Sequence, residues 1–110
     1  MKKPQIKDIW IEAEQWAEGE WNLEDDNSDV IVTIENGEKW VASFFTYRNI
    51  QTLREKNKAS GECMSGAYFW ASDMILMDEL SRARIEAVVN DLREEGEFEN
   101  VFDKIKKNRE

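Results

Sequence analysis

The side chains here that could do chemistry are carboxylates. The 110-residue chain has no histidine and one cysteine, Cys63. That removes the usual general base near neutral pH, the Ser–His and Cys–His pairs, and the common zinc ligand sets. Cys63 lies in a small-residue connection, "ASGECMSGA" (59–67), with no imidazole to activate it, and reads as a tolerated free thiol. Acid pairs remain. Glu12 and Glu14 fall two apart, on one side of a strand, and Glu24, Asp25 and Asp26 crowd a loop. Paired carboxylates perform acid–base hydrolysis in glycosidases, but they need a walled cleft that excludes water, and a chain this short leaves little to build one. "DDNSD" sets Asp25, Asn27 and Asp29 at the first, third and fifth positions of a calcium loop. The match then fails, with Val30 where glycine is required and Asn36 where the bidentate glutamate belongs. No glycine loop of the phosphate-cradling kind follows a strand. The expectation is a protein that is not an enzyme and that holds no cofactor and no metal.

The acids are unevenly spread. Between Asp8 and Glu35 lie ten acidic residues and no Lys or Arg, whereas the other 82 residues carry 14 acids against 15 bases; the net charge of −9 therefore resides in the first third. Such a field repels phosphate backbones, which argues against direct nucleic-acid binding, and attracts a cation or a basic protein. Three of the five Trp residues, Trp10, Trp16 and Trp21, sit inside this segment. A surface kept only for solubility intersperses its signs, as the rest of the chain does. Clustered charge around indoles is what a surface for a basic partner requires, with carboxylates to steer the encounter and rings to supply contact energy. The residues expected at that surface are Trp16, Glu18, Glu20, Trp21, Glu24, Asp25, Asp26 and Asp29.

The elements that must position them follow from pattern. Asn36-Gly37 between two runs rich in β-branched and aromatic residues predicts a hairpin over 30–47. A two-residue turn there sets Ile34 opposite Lys39, Val32 opposite Val41 and Asp29 opposite Phe44. One face then carries Val30, Val32, Ile34, Val41 and Phe45; the other carries Ile31, Trp40, Ala42 and Phe44. Residues 8–16 alternate with Ile9 and Ile11 inward, as a strand does, although Ile9, Ala13 and Trp16 also share a helical face. Residues 17–29 read as a polar loop anchored by Trp21 and Leu23. Asn49 is the expected cap of a short helix to about Lys58, and Tyr68–Met77 is expected as a fourth strand, with Asp73 out of place inside it. Ile85, Val88, Val89 and Leu92 mark a helix capped by Ser81 or Asp78 and stopped by Gly96; Phe98, Val101, Phe102 and Ile105 repeat the spacing. Together these predict a single α+β domain, a four-stranded, mostly antiparallel sheet around the 30–47 hairpin, covered on one face by the C-terminal helices. The other face is either covered by the 17–29 loop or left partly open. Met1-Lys2-Lys3-Pro4 leads into charged residues rather than an apolar signal core, and no run approaches the roughly 18 apolar residues of a membrane span. With the single cysteine, this points to the cytoplasm and away from the membrane.

Through "WIEAEQWAEGEW", "SFFTYRNIQTL", "YFWASDMIL" and "EEGEFENVF" the chain resembles the small acidic bacterial immunity proteins of polymorphic and contact-dependent toxin systems. The resemblance covers size, charge and general style and rests on no defining motif. It implies a binding protein that occludes one toxin without turnover, here a basic toxin such as a nuclease. The other reading is a structural or regulatory module, or a homodimer, that meets its partner through Trp40 and Phe44 or the Tyr68–Trp70 strand and is acidic only for solubility.

Overall fold

The hairpin forms, but with its partners shifted by one residue. In the computed structural model, which describes residues 5–17 and 19–106, β2 (Asn27–Ile34) and β3 (Lys39–Thr46) pair antiparallel with Val32 opposite Trp40, Val30 opposite Ala42 and Asp29 opposite Ser43. The turn has three residues, Glu35, Asn36 and Gly37, closed by Ile34 N–H on Glu38 O at 3.0 Å and Gly37 N–H on Ile34 O at 2.8 Å. Gly37 takes φ +93, the left-handed position of a three-residue hairpin loop. Because side chains alternate with period two, the shift moves every β3 residue to the face opposite the expected one. Phe44 and Ala42 are buried with Val30, Val32 and Ile34, and Trp40 packs on that cluster; Val41, opposite Ile31, and Phe45, opposite Asn27, lie behind.

The remaining strands extend this pair. β1 (Ile6–Ile11) adds antiparallel to β2 with Ile9 opposite Val32 and Trp10 opposite Ile31. The expected strand over 8–16 ends at Ile11, where the chain turns into a 3-10 segment, Glu12–Gln15, held by Ala13 N–H on Ser28 Oγ at 2.9 Å. β4 (Met74–Met77) lies parallel to β3 on its other edge, and β5 (Asp103–Lys104) pairs antiparallel with Trp40 and Val41 further along that edge. The sheet is therefore open and mostly antiparallel, with four principal strands and one short fifth.

The C-terminal helices cover the face of Val30 and Val32, as the sequence predicts, but that face carries Phe44 and Trp40 where Val41 and Phe45 were expected. α3 (Arg82–Glu94) brings Ile85 and Val89 into the core; its cap is Ser81, whose hydroxyl accepts from Arg84 N–H, while Asp78 takes the Arg84 guanidinium. α4 (Phe98–Val101) sets Phe98 against Trp40 at 5.6 Å and Phe102 edge-on to Phe44 at 6.1 Å between ring centroids. These aromatic contacts exist only in the shifted register. They place Phe44 inside and leave Trp40 half-buried against the core.

The segment between β3 and β4 departs furthest from expectation. α1 (Tyr47–Ser60) is longer than predicted and capped by Thr46, whose Oγ1 accepts from Asn49 N–H at 3.0 Å; Asn49 itself is buried in the first turn. A short turn, α2 (Glu62–Gly66), follows, with Cys63, Met64 and Ser65 all left-handed at φ 51, 55 and 58. Residues 67–73 are irregular rather than strand, and Asp73, at φ 51, offers its carbonyl to Ser43 N–H just ahead of β4. That location accounts for an aspartate amid apolar residues: it ends a turn and does not face the core.

Candidate partner-binding face

The face opposite the helices is the candidate site. Strand alternation puts Asp8 and Trp10 of β1, Asp29, Ile31 and Thr33 of β2, and Lys39, Val41 and Ser43 of β3 on it. Trp10 is 38% exposed, and Ile31 and Val41 are half-buried, so no helix covers this part of the sheet. Only toward β4 is it closed, where Phe69 stacks edge-on against Phe45 at 5.5 Å. Carboxylates border the apolar strip. Asp8 and Asp29 lie on the strands, Asp103 is opposite Val41, and Glu12 reaches Asp29 N–H through Oε1 at 3.3 Å. Ser43 Oγ donates to Asp29 Oδ1 at 2.8 Å, which orients that carboxylate, and Lys39 Nζ is held by Thr33 Oγ1 at 3.1 Å.

The residues expected at a partner surface fall into three places. Trp16 and Trp21 are half-buried and pack against the helix-covered core; the indole N–H of Trp21 is buried with no hydrogen-bond partner among the described residues. Glu24, Asp25 and Asp26 gather at the start of α1. Asp25 accepts from Asn49 Nδ2 at 3.0 Å and Thr52 Oγ1 at 2.8 Å, and these bonds hold its carboxyl below the ordinary carboxylate value against the opposing effect of burial. Asp26 accepts from Asn27 N–H and Asn22 N–H, and Glu24 lies 3.8 Å from Arg48. Negative charge at a helix N-terminus opposes the helix dipole favourably, so this trio anchors the acidic loop to α1. Glu20 is exposed and accepts from Ala17 N–H, and Glu18 lies outside the described residues. Asp29 alone of the set lies on the open sheet face.

Part of the acidic excess is offset by residues distant in sequence. Arg82 of α3 grips Glu14 through two bonds of 2.7 and 2.9 Å, and also binds Glu86 and the Ile9 carbonyl. The Arg82 bonds pull the Glu14 carboxyl below its usual value and raise the guanidinium further above its own. Glu38 is likewise lowered by Lys104, 3.0 Å away. The border acids Asp8, Glu12, Asp29 and Asp103 have no ion pair among the described residues.

Trp10 and Asp103 were missed as surface residues by the sequence reading. Alternation with Ile9 and Ile11 turns Trp10 outward, but Asp103 joins the face only through the β5 pairing, which a two-residue strand does not announce. Asp25, Asn27 and Asp29, the partial calcium pattern, take separate protein donors or acceptors. Among the described residues no three His, Cys, Asp or Glu side chains converge as metal ligands, and no helix is long and apolar enough to cross a membrane. No protein-family model, curated protein or solved structure matches this chain.

Proposed function

We propose that this is a non-catalytic cytoplasmic binding protein of the immunity kind, which occludes a basic protein toxin, a nuclease with a cationic cleft being the class that fits. The observation that carries the reading is the uncovered sheet face: an exposed indole, Trp10, beside Ile31 and Val41, bordered by the unpaired carboxylates of Asp8, Glu12, Asp29 and Asp103. Trp anchors dominate contact energy in small interfaces, and a surplus of one sign of charge, here four carboxylates against Lys39, accelerates capture of the opposite sign. The docking surface therefore draws Asp8, Trp10, Glu12, Asp29 and Ile31 from the acidic first third of the chain and Val41 and Asp103 from β3 and β5, with Trp10 as its anchor. A homodimer through the same face is disfavoured by this charge. A two-fold interface sets one patch against its own copy and brings like carboxylates together.

Growth rescue tests the reading. The protein is co-expressed with the product of the reading frame beside its own, in a bacterial host. Expected are a toxic neighbour, protection by the wild-type protein, and loss of protection in a D8N/W10A/D29N variant that keeps its circular dichroism spectrum. A harmless neighbour, or protection that the variant retains in full, overturns it.

A further inference from the structure

A second surface lies at the β4 edge, and its charge is of the opposite sign. α1 carries Arg48, Arg54, Lys56 and Lys58 against Glu55 alone, a basic helix in a chain of net charge −9. Between α1 and β4 runs a groove of about 290 Å³ lined by Ile50, Tyr68, Phe69, Met74 and Leu76, with Arg54 its one charged residue. No ion pair or side-chain hydrogen bond joins Arg54 to another described residue.

The groove wall is built at a conformational cost. Left-handed L-residues are disfavoured by roughly 1–2 kcal/mol each, and Cys63, Met64 and Ser65 adopt that conformation in succession. Their turn brings Gly66 so close to α1 that a Cβ there would stand 2.8 Å from the Arg54 carbonyl oxygen. Ala67 N–H then bonds back to Cys63 O at 3.0 Å, which lays residues 67–69 along the helix. Tyr68 and Trp70 remain more than half exposed beside it.

β4 supplies the second half of the site. It bonds to β3 alone and forms one end of the sheet. Asp73 O accepts from Ser43 N–H, so in a parallel ladder Ile75 and Met77 also bond β3, and the N–H and C=O groups of Met74 and Leu76 point away from it. The strand is Met-Ile-Leu-Met, with none of the lysine, proline or bulge that normally protects an edge. Self-pairing in an antiparallel β4–β4 ladder centred on Leu76, one of the outward-bonding residues, sets Asp73 against Glu79 of its twin.

We infer that the β4 edge and its groove take an extended segment of another protein by strand addition, apolar side chains filling the groove and a carboxylate meeting Arg54. Main-chain bonds to Met74 and Leu76 supply affinity, and the groove and Arg54 supply selectivity. This site is distinct from the acidic face and stands whether or not the toxin reading holds.

The probe is a fluorescein-labelled peptide of alternating Val and Thr with one central Glu, with twins carrying Gln or Lys instead, followed by fluorescence anisotropy on the full chain. Expected is an order Glu, Gln, Lys, with the Lys peptide about tenfold weaker than the Glu peptide. Arg54→Glu, an exposed change that breaks no described contact, reverses the order. N-methylation of every second amide abolishes binding in one phase and spares it in the other, because only one edge of the added strand bonds to β4. Equal binding of the three peptides, an order unchanged in Arg54→Glu, or indifference to the phase of methylation overturns the inference. So does a dimer in light scattering that Leu76→Asp dissociates, because the occupant is then a second copy.

Discussion

Removing the Arg82–Glu14 contact tests how far the fold neutralises its own acidic segment. Arg82 contacts Glu14 twice, at 2.7 and 2.9 Å, and also the carbonyl of buried Ile9 at 2.7 Å, tying α3 to β1 and to the 3-10 segment after it. The side chains are 40% and 31% exposed, so solvent screens the pair in part. Fully exposed pairs are worth about 0.2–1 kcal/mol and shielded bonds to charged groups about 1.5–3, which places this bidentate contact near 1 kcal/mol. In urea unfolding at neutral pH, the double-mutant cycle of R82M and E14Q is expected to give that coupling, and a melting point about 4 °C lower for its loss. R82M alone costs about 2–3 kcal/mol, because the Ile9 carbonyl and Glu86 also lose their donor. The pH dependence has a definite sign. The Glu14 carboxyl is lowered in the folded state, so its contribution is complete above the unfolded carboxylate value of 4.5 and is lost as pH falls through the folded value. Arg82 stays charged throughout, so acid removes the coupling through Glu14 alone. A coupling under about 0.3 kcal/mol at neutral pH, or one that persists in strong acid, refutes the argument.

Other substitutions have separable outcomes. Phe44→Ala, at a fully buried position against Phe102, should cost about 3–5 kcal/mol in chemical denaturation; a cost below 1.5 would mean that Phe44 is not in the core. Gly66→Ala meets backbone at 2.8 Å as well as a positive φ and should cost about 2–4 kcal/mol, against about 1 for Gly37→Ala, which opens into free space. Equal costs in thermal melts would show that the turn does not press on α1. Asp25→Asn should flatten the acid limb of the stability–pH curve, because the lowered Asp25 carboxyl stabilises the fold above its unfolded pKa and loses that contribution as acid protonates it; an unchanged limb counts against the Asn49 and Thr52 bonds. Trp10→Ala should change stability by less than about 1 kcal/mol while raising the dissociation rate from a basic partner in surface-binding kinetics.

Much of the architecture was legible because it depends on periodicity. The α3 stripe, the inward pair Ile9 and Ile11, and the hairpin position all followed from apolar spacing. The register did not. Asn-Gly suits a two-residue turn and equally the last two places of a three-residue loop, and with apolar side chains on both sides of β3 the pattern could not choose between them. That single-residue ambiguity reversed the location of Trp40 and Phe44. The site was harder still. Glu14 and Arg82 stand 68 residues apart, so a charge count along the chain records ten unopposed acids where the fold supplies partners to some of them. Asp25 and Asp26 are acidic in composition but act as ties to α1, which no local pattern reveals. Asn49 read as a helix cap because its type favours that place; Thr46, three positions upstream, takes the role and leaves Asn49 buried in the network.

The parallel junction of β3 with β4 has a kinetic corollary. β1, β2 and β3 are joined by near-neighbour antiparallel contacts, whereas β4 can add only after the whole of α1, α2 and the irregular 67–73 segment has closed a long crossover, and long crossovers form late. The order of assembly is then a three-stranded meander first and an arm second. Amide exchange should record the same division in the native state: protons of β2 released only on complete unfolding, and those of β4 freed whenever the arm swings out as a unit.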